Sequence, residues 1–131
     1  MKKAYIFILL VAGIVSLSGC VKKEVINPNI TITADVLSTD WKYSNSTQTY
    51  YVQFNMPEIN GYANDNYGIL VSASFGDDIY EALPEVYDGL SYSFTHQVGL
   101  LTIEVQGADG STVNPPTKTM HVKIIIIPSN Q

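Results

Sequence analysis

The 131-residue chain is 46% hydrophobic and 15% charged, with a formal net charge of −5, and all seven of its basic residues are lysines. An acidic chain without arginine lacks the bidentate donor favoured by phosphates and base edges, so no nucleic-acid partner is expected. Its one cysteine, Cys20, excludes an intramolecular disulfide and any multi-thiolate metal site, and the length suits a single domain.

Met1, Lys2 and Lys3 give the chain a short positive start, and residues 4–15 (AYIFILLVAGIV) are apolar throughout. Those twelve residues are too few to span a bilayer core of about 30 Å, so they read as a signal peptide, not a transmembrane helix. Leu17-Ser18-Gly19-Cys20 follows and resembles a bacterial lipobox: a large apolar residue, two small ones, then the cysteine that takes the lipid. The expectation is that residues 1–19 are removed and Cys20 carries the anchor. The alternative is a soluble secreted protein whose cysteine is incidental. Two or more acyl chains hold a protein on its membrane stably, where one does so only marginally.

Val21 stands where an aspartate would suggest inner-membrane retention, so the outer membrane is the expected destination, with the leaflet left open. Removing Lys2 and Lys3 leaves five lysines against twelve acidic residues, a charge of −7 on 112 residues. Residues 20–28, ending in a proline, read as a lipidated tether, and residues 29–131 as the domain.

The domain alternates apolar and polar residues with a period of two, the mark of half-buried strands. Ile30, Ile32, Ala34 and Val36 begin the pattern. It continues through Tyr50, Val52 and Phe54; Ile69, Val71, Ala73 and Phe75; Leu90, Tyr92 and Phe94; and Leu101, Ile103 and Val105. The run over residues 119–127 ends in four isoleucines before Pro128 and predicts a strand covered on both faces. Asn60-Gly61, Gly76-Asp77-Asp78, Asp88-Gly89 and Asp109-Gly110 supply turns. The pattern predicts an all-β fold, an antiparallel immunoglobulin-like β-sandwich of about seven strands. Trp41 serves either as its core aromatic or as a cap at one end.

The order Trp41, Tyr50-Tyr51, Met56-Pro57-Glu58-Ile59, Gly68-Ile69-Leu70-Val71, Leu83-Pro84 and residues 123–128 (KIIIIP) resembles a group of small, uncharacterised Bacteroidetes lipoproteins with an immunoglobulin-like domain. That resemblance implies a membrane-anchored sandwich and implies no activity. The chain departs from the surface-exported members in having only Glu24 where they carry an acidic run after the cysteine.

Catalytic motifs are missing: no Gly-x-Ser-x-Gly and no phosphate-cradling glycine loop occurs. His96 and His121, the two histidines, read as a strand-end and a solvent-facing residue, and neither a metal site nor a cofactor is expected. The oxygen-rich residues 60–68 could form a calcium loop and the acids Asp77, Asp78 and Glu81 part of a glycosidase pair, but such clusters are the ordinary composition of turns. The remaining signal is aromatic. Tyr62 and Tyr67 flank a glycine-containing loop, and Tyr80 and Tyr87 sit either side of Leu83-Pro84, as rings that could bind a protein or glycan partner.

The leading expectation is therefore a non-catalytic, membrane-anchored envelope lipoprotein acting as a binding or adaptor module. The alternatives are a structural subunit that assembles through strand edges, with residues 124–127 as the sticky element, and a small hydrolase.

Overall fold

The computed structural model describes residues 28–129; the apolar leader, Cys20 and the tether before Pro28 lie outside the described residues. Of the described residues, 54% are in strands and 6% in helix. The elements run β1 (Ile30–Val36), β2 (Lys42–Ser44), β3 (Thr49–Met56), α1 (Gly61–Asn66), β4 (Gly68–Ser74), β5 (Glu81–Ala82), β6 (Glu85–Tyr87), β7 (Leu90–Gln97), β8 (Gly99–Gly107) and β9 (Met120–Ile127). They form two antiparallel sheets, ordered β1-β9-β4-β5 and β2-β3-β8-β7-β6, which enclose one core. None of the helices among the described residues is long and apolar enough to cross a membrane.

The period-two pattern becomes burial directly. Leu101, Ile103 and Val105 of β8 are essentially inaccessible, and so are Met120, Val122, Ile124 and Ile126 of β9, facing them from the other sheet. Each such side chain contributes about 1.5–3 kcal/mol by leaving water. Trp41 joins this core at 8% exposure, its ring edge-on to Tyr92 at 6.3 Å. That resolves the two roles left open for it in favour of the core.

The expectation for the isoleucine run needs correcting. β9 is flanked on both sides, by β1 and by β4, but only its even-numbered residues are buried. His121, Lys123 and Ile125 are half-exposed on the outer face, and Ile127 is 36% exposed. The continuous apolarity reflects a central position in a sheet with one covered face. Because both of its edges are paired, residues 124–127 offer no sticky edge.

The strand order also differs from an immunoglobulin one. There the first strand pairs with the second, and the last lies in the opposite sheet beside its predecessor. Here β1 pairs with β9, so the first and last strands share a sheet. Three of the nine strands, β2, β5 and β6, are only two or three residues long, too short to show an alternation.

This register gives the sandwich two distinct poles. The near pole holds the start of β1, the end of β3, α1, the turn between β7 and β8, and the end of β9. At the far pole lie the end of β1, Trp41, Phe75, the Asp88-Gly89 turn and the segment 108–119. Any tether reaches the domain at the near pole.

Candidate binding surfaces

The structure divides the four tyrosines among three places. Tyr62 and Tyr67 meet edge-on at the near pole, 5.8 Å between ring centres; Tyr62 is 43% exposed and Tyr67 packs against the core. Tyr80 lies against sheet β1-β9-β4-β5, where the Lys123 ammonium stands 4.0 Å from its ring centre. Tyr87 stacks on Phe75 near the far pole, with ring centres 4.1 Å apart and planes within 5°. The four rings that could bind a partner form no common patch.

The far pole instead joins Tyr87 to aromatic residues that the sequence did not single out for binding. Phe75 at the end of β4 touches both Tyr87 and Tyr92, and Tyr92 touches Trp41, so the rings run from core to surface. They open into a cleft of about 110 Å³ whose lip carries Asp88, Pro115, Pro116 and Lys118. The Lys118 ammonium lies 5.7 Å from the Tyr87 ring centre. Burial first, then Asp88, Tyr87 and Glu85, pushes the Tyr92 hydroxyl up to about 12, so it remains neutral at physiological pH. A cleft this small takes a single ring-sized group, well below the ligand pockets of about 300–1,000 Å³ typical of enzymes.

Among the described residues, Glu81 and Glu85 form a carboxylate pair. Burial and then the Glu81 carboxyl, by hydrogen bond and by charge, push Glu85 up to about 7. Two ionised carboxylates cannot hydrogen-bond, so the pair closes only when one holds a proton. A hydrogen bond brings the two carboxyls into direct contact, whereas retaining glycosidases hold theirs about 5–5.5 Å apart. Asp77 is occupied in its own turn, accepting from Ser74 Oγ at 3.3 Å and from the Ile79 amide at 3.1 Å.

The histidines are apart. His96 donates to Asn64 Oδ1 at 2.9 Å, tying α1 to β7, and His121 donates to Asp35 at 2.6 Å across β9 and β1. Residues 60–68 are not an oxygen cage but a short helix. Asn60 caps it by accepting from the Ala63 amide, Asn66 Nδ2 donates to the Tyr62 carbonyl, and Asn64 is held by His96. No group of three or more His, Cys, Asp or Glu that could hold a metal occurs among the described residues.

The lateral seams between the sheets are unequal. On one side β5 and β6 strap the sheets together, with Leu83 buried between them and its amide donating to the Val71 carbonyl at 2.9 Å. On the other, β2 pairs only with Thr49–Tyr51 and leaves the rest of that β3 edge bare. There a groove of about 400 Å³ runs between β1 and β3, with Asp40 and Lys42 on its rim.

Phe75 and the lip were legible only as a strand end before a turn and as a proline pair; what unites them is the return of β9 beside β4. No protein-family model, curated protein or solved structure matches the chain.

Proposed function

We propose that the chain is a non-catalytic adaptor of the bacterial envelope, held on the outer membrane by lipid on Cys20, whose far-pole cleft takes a ring-bearing group of a protein or glycan partner. The observation that carries this reading is the run of rings from the buried Trp41 and Tyr92 to the half-buried Phe75 and Tyr87, which line a cleft at the pole opposite the start of β1. Aromatic faces bury large area at little entropic cost and pack on sugar or side-chain rings. The nine tether residues reach at most about 30 Å when fully extended. A charge of −7 without arginine speaks against nucleic acid.

Trp41 is the only tryptophan and touches Tyr92, so its emission reports on the cleft. With the lipidated chain in detergent micelles, a panel of cell-wall oligosaccharides and proline-rich peptides should include a member that shifts the emission saturably, and Tyr87→Ala should abolish that shift. No shift from any member, or the same shift in the variant, contradicts the reading. The anchor is tested separately: Cys20→Ala should move the protein from the membrane to the soluble fraction.

A further inference from the structure

We propose that β1 is a self-association strand, through which two copies of this chain pair antiparallel about Thr33 and join their four-stranded sheets into one. The other edge strands among the described residues, β2, β5 and β6, have three, two and three residues, and the stretches of β3, β4 and β7 that they leave uncovered are shorter than β1, lengths that discourage edge pairing. β1 has seven residues, pairs with β9 on one side only, and leaves its other edge bare from Ile30 to Val36. Its sequence ITITADV contains no proline, lysine or glycine, and its register with β9 runs without a bulge. The common protections of an edge strand are therefore missing from the longest edge in the fold.

The occupant follows from the strand's self-complementarity. Full overlap about a two-fold axis at Thr33 sets Ile30 against Val36, Thr31 against Asp35 and Ile32 against Ala34 of the second copy. Inward residues then meet inward residues, so the pleat continues across the junction. The one charge of the strand, Asp35, meets a threonine instead of its own copy, and it already accepts from His121. Ile30 is 38% exposed, and Ile32 and Ala34 are half-exposed although they point inward, because the seam beside them is open. The rim of that groove carries both signs, Asp40 and Lys42, as an isologous contact requires if like charges are not to meet. Six residue steps separate the two Ile30 ends by about 20 Å, and each nine-residue tether reaches up to about 30 Å. Both lipids can therefore enter one bilayer.

The test uses the full-length lipidated chain on its membrane. Across the axis the two Thr33 Cα atoms lie about 4.5–5.5 Å apart, within the span of a disulfide. Under mild oxidation Thr33→Cys should give a covalent dimer of twice the chain mass. Thr31→Cys should not, and neither should the wild-type chain with Cys20 alone. Thr33→Glu, whose carboxylate stands opposite Lys123 within the sheet but meets its own copy across the axis, should convert a sedimenting dimer into a monomer with unchanged far-ultraviolet dichroism. Equal cross-linking at 31 and 33, or a Thr33→Glu variant that remains dimeric, overturns the proposal. So does a Thr33→Cys adduct with a different protein in place of the dimer.

Discussion

Both poles of the sandwich carry a pair of aromatic rings, packed in opposite ways. At the near pole Tyr62 and Tyr67 meet edge-on across a helix that satisfies its own polar groups through Asn60, Asn64 and Asn66. At the far pole Phe75 and Tyr87 stack face to face, rest on Tyr92 and, half-buried, line a cleft with Lys118. The difference arises from what lies beneath each pair. α1 is a closed cap with Ala63 and Ile59 buried under it, whereas the far pole is framed by separate strands and a long connecting segment that do not meet over the rings.

The largest effect expected from breaking this contrast is at Tyr92, which is 2% exposed and touches both Trp41 and Phe75. Tyr92→Ala should cost about 3–5 kcal/mol, comparable to other large aromatic truncations, measured as a loss of unfolding free energy in denaturant. If the cost is below about 1 kcal/mol, the far-pole rings are not anchored in the core. Next comes Asn60→Ala, which removes the cap of α1 and should cost about 1 kcal/mol. That loss should leave any shift of Trp41 emission by a ligand intact, since the near pole takes no part in it.

The smallest effect is one of pH. The folded Glu85 carboxyl titrates at about 7, above an ordinary glutamate, so the folded chain binds its proton more tightly than the unfolded chain does. Stability from this group is full below the unfolded value of about 4.3 and is lost as pH rises through the folded value. The residue is half-exposed, so solvent screens the charge and moderates the change. Glu85→Gln should match the wild type near pH 4 and unfold at a higher denaturant concentration near pH 8. A difference of the opposite sign at pH 8 would show that Glu81 and Glu85 are not paired.

The long strands were legible because alternation over seven or more residues is a direct image of one buried face: β1, β3, β4, β7, β8 and β9 all follow it. The short strands were not, since two or three residues show no period. The strand order was hidden as well. The pairing of β1 with β9 depends on where connections cross between sheets, which no local pattern encodes. For the same reason the alternative that made residues 124–127 a sticky edge fails, since β9 is central, while ITITADV looked ordinary and is the exposed edge. Tyr87 was identified as a candidate, but its partners Phe75, Tyr92 and Lys118 come from three other segments. Tyr62, chosen on the same grounds, belongs to the closed pole.

The contrast between the poles is tested most directly by photo-cross-linking in living cells, with a photoreactive residue placed at position 118 in one strain and at position 62 in another. Adducts of defined mass from position 118 and none from position 62 are the expected result. No adduct from position 118, or equal adducts from both, would contradict the assignment of the far-pole cleft as the binding surface.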